Sequence, residues 1–419
     1  MNSVVIQPRG PLAGEVQAFG AKNAVLKQMA ACLLASGTHT LTNVPDIVDV
    51  TIMVELLESL GCSIDRADHR LDITVPDARH LATRAPGELF QAMRASIVVL
   101  GPLLARCGEA EMALPGGDDF GQRPINFHTD GLTSMGAHFH NDPRWIRAKS
   151  DGRLRASHIT LEYPSHTATD NLLMAAVLAE GRTVIENAAR EPEVEDLGRQ
   201  LCAMGAQIEG LGTSRLIVTG VETLHAAHHE VVADRVVSAT YLASAVITGG
   251  DVRVSDARAD HMVMLLRKLT DMGALVDTSG SGVRVVGPDR VRAVDVATLP
   301  YPGVATDYKP LITTVLSVAQ GVSIVTENLF VGRFRYVDEL AKLGAHVTTE
   351  GHHAMIRGVD QLVGTEVHGS DIRAAAALVL AGLVAEGETV VTGMGHVRRG
   401  YDHLPERLNS LGAAVTWRD

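Results

Sequence analysis

VTIMVELLESLGCSI, from Val50 to Ile64, sets the pattern of the whole chain. Val50, Met53, Leu57 and Leu60 fall on one helical face, at the three- and four-residue steps that bring side chains over one another. Gly61 then stands where a helix closes in a left-handed turn, a conformation that costs glycine nothing because it has no Cβ. A short strand is expected next. The same signal, a helical segment ending in Leu or Met, then Gly, then Ala or Cys, returns at Met135-Gly136-Ala137, Met204-Gly205-Ala206, Met272-Gly273-Ala274, Leu343-Gly344-Ala345 and Leu411-Gly412-Ala413, with the glycines 68 to 75 residues apart. HVTT after Ala345 is one strand of this kind.

A second helix-Gly-strand signal lies between these, at Gly37, Gly108, Gly181, Gly249, Gly321 and Gly387. Its helices are VLKQMAACLLA, ASIVVLGPLLA, NLLMAAVLA, VSATYLASAVI, PLITTVLSVA and IRAAAALVLAGLVA, apolar nearly all round and therefore suited to a protein interior. Six mixed helix-strand units result, each with one buried and one amphipathic helix. Their period is too long for an ordinary solenoid, and no polar capping repeat is present. Six units divide naturally as three plus three. The expectation is two similar α/β domains around a cleft, parting where HAAHHEVVADR, residues 225–235, breaks the pattern.

The 419 residues, 46% hydrophobic, suffice for large cores. Mean hydropathy is +0.12. A net charge of -12 and a pI near 5.8 argue against a nucleic-acid or anionic-membrane surface, so any anion site must be local. Cys32, Cys62, Cys107 and Cys202 lack CxxC spacing and sit in apolar contexts; they read as reduced core residues. MNSVVIQPRG has no apolar signal core, and the longest apolar run, Ala374 to Ala385, is 12 residues against the roughly 18–20 that span a bilayer. A cytoplasmic protein without membrane or nucleic-acid partners is expected. His228-His229 and His352-His353 lack zinc-site spacing, and no metal is expected.

Charged and amide residues gather where the buried helices begin: Lys22 and Asn23, Arg94, Asp170 and Asn171, Asp234 and Arg235, Asp307 and Lys309, Asp371 and Arg373. A helix N-terminus favours anions through its unpaired N–H groups and its dipole. Capping accounts for Asp170 and Asn171. It does not account for Lys22, Arg94 or Arg373, which are unfavourable there unless an anion or carboxylate offsets them. The richest stretch is LPGGDDFGQRPINFH, Leu114 to His128. Gly116, Gly117 and Gly121 keep helix and strand out, so it reads as a mobile active-site loop. Within it Asp118 and Asp119 are adjacent carboxylates, and Arg123, ahead of Pro124, is a fork suited to phosphate or carboxylate.

These residues carry a resemblance. FGAKNAVL around Lys22, MRASI around Arg94, LPGG and GQRP about Asp118, IENAAREPEVEDL from Ile185, TDYKP at Asp307, ENLFVGRF ending at Phe334, SDIRA around Arg373 and HVRRGY around Arg399 together resemble the enolpyruvyl transferase family, in order and nearly end to end. The resemblance implies two inside-out, barrel-like α/β domains, each of three repeated units, with an interdomain active-site cleft. The first would span residues 20–230 and carry the catalytic loop 112–125; the second would take 231–419 together with the N-terminal segment 1–19. It implies transfer of the enolpyruvyl group of phosphoenolpyruvate to a sugar hydroxyl with loss of phosphate, with no cofactor. Such chemistry needs an acid to protonate the methylene carbon and a base to take the hydroxyl proton. By resemblance, Asp118, where most of the family carries cysteine, would be the acid, with a raised pKa from desolvation and phosphate charge. Asp307 would be the base. Lys22, Arg123 and Arg399 would hold phosphoenolpyruvate, and Arg94 and Arg373 would complete the cationic ring. Fosfomycin alkylates the family's loop cysteine, so a chain with Asp118 is expected to resist it.

Departures cluster on the acceptor side. Where the family usually reads PSVGATEN, this chain has Pro164-Ser165-His166-Thr167-Ala168-Thr169-Asp170-Asn171; where it reads RPVDLH, here stand Arg123-Pro124-Ile125-Asn126-Phe127-His128. Arg398 replaces an aspartate, Lys309 a glutamine, and VGRF stands for ENRF. The expected acceptor contacts are Asn23, Pro124, Ile125, Asn126, Phe127, Ser165, His166 and Leu329. The implied acceptor is UDP-N-acetylglucosamine. A smaller uridine nucleotide such as UMP is the alternative, and a catalytically silent nucleotide-sugar binder the third reading.

Overall fold

A computed structural model of the chain describes residues 2–117, 124–142, 144–330 and 332–418. Two compact units form. One, here the terminal unit, holds Met1–Phe19 and Ala233–Asp419; the other, the central unit, begins at Gly20 and ends at Val232.

The repeats of the sequence are the repeats of the fold. All twelve glycines of the two signals have positive φ, from 65° at Gly249 to 118° at Gly321, and a strand begins at each or within two residues of it. In the first repeat Gly37–Thr42 runs antiparallel to Arg70–Val75, which runs antiparallel to Ser63–Ala67, while its other edge pairs parallel with His228–Glu230. The same order recurs about Arg182–Glu186, Asp251–Ser255 and Val322–Thr326. Around Glu109–Ala113 the parallel position is a single bridge from Arg84 to Glu111.

The strand that completes each unit comes from its far end. His228–Glu230 closes the first repeat of the central unit. In the terminal unit Ala13–Gln17 lies parallel to Asp251–Ser255, and Ser3–Gln7 is inserted antiparallel between Thr389–Thr392 and Ala414–Arg418. The N-terminal residues are thus structural members of that unit. The strands form separate sheets of three or four, plus one two-stranded pair, and not one continuous barrel.

The apolar helices lie innermost. In the terminal unit Arg235–Thr248, Lys309–Leu316 and Ile372–Gly382 pack against one another, and every residue of Ile372–Gly382 is buried. In the central unit Lys22–Ala31 and His166–Ala176 both pack on the 3-10 segment Arg94–Val99, which leads into Leu100–Cys107. Several strands bury alternate residues, as Arg70–Val75 does with Leu71, Ile73 and Val75 and Asp251–Ser255 with Val252 and Val254. Gly101 is the close-packing point: a Cβ there would lie 2.3 Å from the Asn171 carbonyl oxygen.

One expectation needs correction. Cys32 and Cys62 are buried, but Cys107 is only partly so and Cys202 is exposed; Cys202 lies on the polar face of the amphipathic helix Pro192–Ala203, where the surrounding apolar letters misled the reading. Among the described residues no helix is long and apolar enough to cross a membrane.

Candidate active site

Each unit carries its own set of the residues singled out above. In the terminal unit Asp307 belongs to the 3-10 turn Thr306–Tyr308, which runs into the helix Lys309–Leu316 with Pro310 in its first turn, where a missing N–H costs nothing. Its Oδ1 accepts a hydrogen bond from Arg333 Nη1 at 2.9 Å and its Oδ2 one from Arg373 Nε at 3.1 Å. Both guanidiniums are almost fully buried while Asp307 keeps 26% exposure. Burial alone would raise the Asp307 carboxyl, but the two cations outweigh it and hold it well below the usual carboxylate range. It is therefore ionised, and able to accept a proton only against that stabilisation.

Arg373 is placed by its helix. Asp371 is the N-cap of Ile372–Gly382, its carboxylate accepting the N–H groups of Arg373 and Ala374 at 2.8 and 3.0 Å. The guanidinium lies 5.2 Å from the centre of the Tyr401 ring, and Tyr401 is fixed through its hydroxyl to Thr240 at 2.8 Å. Leu329 follows Glu327, whose Oε1 accepts the Leu329 N–H at 2.8 Å. Arg399 follows the short helix Gly395–Arg398 and is half-buried. Its neighbour Arg398, where the family usually has aspartate, is exposed and stacks over Trp417 at 4.9 Å.

In the central unit Lys22 opens the helix Lys22–Ala31 and pairs with the buried carboxylate of Asp49 at 2.9 Å. That carboxylate is the offset a cation at a helix N-terminus requires. Asn23 supplies the carbonyl oxygen that accepts from Lys27 Nζ. Arg94 opens the 3-10 segment, and its Nη1 donates to the Pro115 carbonyl at 3.3 Å, tying it to the start of the loop. The loop leaves the fold through Gly116, where a Cβ would sit 1.9 Å from the Gln91 carbonyl oxygen; no other residue fits. Asp118, Asp119 and Arg123, to which the sequence assigns most of the loop's chemistry, lie outside the described residues.

Pro124 and Ile125 lead into the helix Asn126–Ser134; Pro124 and Asn126 are exposed, Ile125 and Phe127 half-buried. His128 on that helix is buried. Asn171 Oδ1 accepts from Gly101 N–H at 2.6 Å, so Asn171 Nδ2 is the donor both to Ile97 O at 3.1 Å and to His128 Nδ1 at 3.0 Å. His128 Nδ1 must then be unprotonated, and the proton lies on Nε2, facing Thr167 Oγ1 at 3.5 Å. Burial, with Arg94 nearby, pushes the imidazole down to about 3.

The expectation that Asp170 and Asn171 cap a helix is wrong. The helix begins at His166 with Ser165 at its N-cap, so both lie in its second turn, and Asn171 serves as the bridge just described. The side-chain caps are Asp371 and Asp234, the latter accepting from Val236 and Val237 at 2.7 and 2.9 Å. Asp170 is fully buried, 3.5 Å from His166 Nε2 and 3.8 Å from Lys27 Nζ. Burial raises its carboxyl above the usual range; Lys27 opposes the rise, and Glu191 and Glu193 reinforce it. Sequence reasoning did not assign Asp49, Lys27, Glu327, Arg333 or His128 to the site. Arg333 left a signal, being the arginine shared by VGRF and ENRF, and so did His128, the histidine shared by RPINFH and RPVDLH. Among the described residues no group of three or more His, Cys, Asp or Glu is arranged to hold a metal ion.

A family model described as EPSP synthase (3-phosphoshikimate 1-carboxyvinyltransferase) matches residues 6–408. The chain belongs to the EPSP synthase family. Within it, the chain is similar to the UDP-N-acetylglucosamine 1-carboxyvinyltransferase of Nocardia farcinica, 48% identical over 408 residues and 96% of each chain. The protein of the same name from Corynebacterium jeikeium is 46% identical over 414 residues, 99% of this chain and 98% of its own. The solved structure of the enolpyruvyl transferase NikO from Streptomyces tendae matches with a TM-score of 0.89 at 24% identity, over 99% of this chain and 98% of that one. EPSP synthase from Acinetobacter baumannii matches at 0.79 and 19% identity over the whole of both chains. These two show the fold: the mixed α/β, two-domain architecture expected from the repeats is that of the EPSP synthase family. The chain is an enolpyruvyl transferase.

Proposed function

We propose that this enzyme transfers the enolpyruvyl group of phosphoenolpyruvate to the 3-hydroxyl of UDP-N-acetylglucosamine with release of phosphate, the step that commits the sugar nucleotide to peptidoglycan, and that it acts in the cytoplasm without metal or cofactor. The observation that carries the acceptor is the 46–48% identity, over nearly full length, to relatives bearing that activity in their names. The geometry supports the reaction class, since a base of the required kind, Asp307, is held ionised between Arg333 and Arg373.

In this reading Asp118 gives a proton to the methylene carbon while Asp307 takes one from the attacking hydroxyl, and the hydroxyl oxygen bonds to the neighbouring carbon. The tetrahedral adduct then loses a methyl proton and its phosphate, restoring the double bond. Lys22, Arg123 and Arg399 bind the phosphate and carboxylate of phosphoenolpyruvate, with Arg94 and Arg373 adding charge. Asn23, Pro124, Ile125, Asn126, Phe127, Ser165, His166 and Leu329 receive the acceptor. Phosphate release from phosphoenolpyruvate, measured with UDP-N-acetylglucosamine, with UMP and with neither, tests it. Release only with the sugar nucleotide is expected, and Asp307→Asn should lower kcat by about 10²- to 10⁴-fold. Release with UMP alone refutes the acceptor, and no release refutes the activity.

A further inference from the structure

Glu327 and Lys309 are both buried, and neither has a role in the proposed chemistry. Glu327 Oε1 accepts from Thr298 Oγ1 at 2.8 Å and from the N–H groups of Leu329 and Phe330 at 2.8 and 3.2 Å. Its Oε2 accepts from Thr306 Oγ1 at 2.7 Å and pairs with Lys309 Nζ at 3.0 Å. One carboxylate thus ties together Thr298, the turn that carries Asp307, and the segment after Glu327. Lys309 Nζ also donates to the Arg333 carbonyl oxygen and lies 3.8 Å from the centre of the Phe334 ring. Arg333 Nη1 in turn donates to Thr306 Oγ1 and to Asp307 Oδ1, each at 2.9 Å. The circuit closes on itself. From Lys309 it passes through the backbone of Arg333 to the Arg333 side chain, and from there to Asp307, two residues before Lys309.

The chemistry of this circuit needs a cation. An ammonium has three donors and a full charge; here they meet a carboxylate, a backbone carbonyl and a ring face. The glutamine usual at this position could donate an amide hydrogen to Glu327 or to the carbonyl, but it would leave the Glu327 charge without a counter-ion.

We propose that Lys309 is a positioning residue for the transfer: it clamps the Arg333 carbonyl to Glu327 and so fixes the guanidinium that holds Asp307 in place. This rests on the reading of Asp307 as the base. Because Arg333 steadies the base, the effect falls on kcat and leaves KM for phosphoenolpyruvate little changed. Burial pushes Lys309 down to about 8 against the pull of Glu327 and Asp371, with Arg333 adding to the fall. Tyr336, 5.9 Å away, stays neutral there because burial raises its phenol, and Asp307 stays ionised throughout. As pH rises through that value the ammonium is lost, Glu327 loses its counter-ion and the Arg333 segment is released. The wild-type kcat should therefore decline on the alkaline side near pH 8.

The test is the pH profile, from 6 to 9.5, of kcat and KM with phosphoenolpyruvate and UDP-N-acetylglucosamine, for wild type, Lys309→Gln and the double variant Lys309→Gln, Glu327→Gln, with folding followed by circular dichroism. The double variant buries no charge at positions 309 and 327 and keeps the test open if the single one folds poorly. The expected result is an alkaline decline in wild-type kcat near pH 8, a kcat on the order of 10- to 100-fold lower in both variants with KM preserved, and no decline in either. An active wild type whose kcat is flat from pH 7 to 9, or variants that keep the wild-type decline, overturns the inference alone. A wild type that releases no phosphate overturns the proposed function and this inference with it.

Discussion

His128 offers a measurement of how the central unit is held together. It is 4% exposed and accepts from Asn171 through Nδ1, so a second proton would place an N–H against an N–H and bury a cation beside Arg94. The folded imidazole is pushed down to about 3 from an ordinary value of 6.5. Because the folded value is the lower one, the stability linked to His128 is complete above about 6.5 and is lost as pH falls from there toward 3. Between pH 7 and pH 5 the unfolded imidazole takes up roughly 0.7 of a proton and the folded one almost none, a difference worth about 2 kcal/mol. Glutamine at this position can accept from Asn171 and donate to Thr167 but does not titrate. Trp145 opens a strand of the central unit and Trp417 lies in the terminal unit, so in a Trp417→Phe background the fluorescence of Trp145 follows the central unit alone. Urea unfolding at pH 7 and pH 5 should show a drop in stability about 2 kcal/mol smaller in His128→Gln than in its parent. The two proteins differ only at position 128, so what is common to both cancels in the comparison. Equal drops, within about 0.5 kcal/mol, would refute both the depressed imidazole and the tautomer assigned from Asn171.

Two further perturbations probe the loop and the helix packing. The carboxylate of Asp118 is a poor nucleophile toward an epoxide, so wild-type activity should survive prolonged fosfomycin, whereas Asp118→Cys should be inactivated irreversibly; drug mass found on Asp118 with loss of activity contradicts this. In Gly101→Ala the new methyl would lie 2.3 Å from Asn171 O and 2.5 Å from Asn171 Oδ1, displacing the acceptor of the Gly101 N–H bond. A loss of about 2–4 kcal/mol, read by the same Trp145 unfolding, is expected, and a loss below about 0.5 kcal/mol would show that the helices separate freely.

The fold was legible because its signals are local. A helix end, a left-handed glycine and a following strand occupy a few consecutive residues, and their repetition at Gly61, Gly136, Gly205, Gly273, Gly344 and Gly412 needs no knowledge of tertiary contacts. What could not be read locally was where each unit closes. Nothing in SVVIQ says that Ser3–Gln7 lies between two strands from the far end of the chain. The capping assignments erred for a related reason. Asp170 and Asn171 are good capping types, but the helix starts four residues earlier, and their side chains are committed to Lys27, His128 and Gly101.

The candidate site divides along the same line. Residue types that announce anion chemistry, Lys22, Arg94 and Arg373, stand out in sequence because a cation at the start of a buried helix needs an explanation, whereas Arg399 is singled out only by the resemblance carried by HVRRGY. Their carboxylate partners do not stand out. Asp49 is one acidic residue in an amphipathic helix, and Glu327 one letter in ENLF, until distances of 2.9 Å to Lys22 and 3.0 Å to Lys309 give them work. The substituted positions show the limit most clearly. Arg398 and Lys309 both bring a cation where the family usually has none, and sequence alone gives them equal weight. Arg398 lies over Trp417 on the exposed side of a short helix, where a cation is nearly free of desolvation cost. Lys309 is sealed from water, so its charge persists only because Glu327 and the Arg333 carbonyl receive it, and those same groups hold the residue that meets Asp307. The consequence of a substitution is set by the partner it acquires, and for Lys309 that partner leads to Asp307.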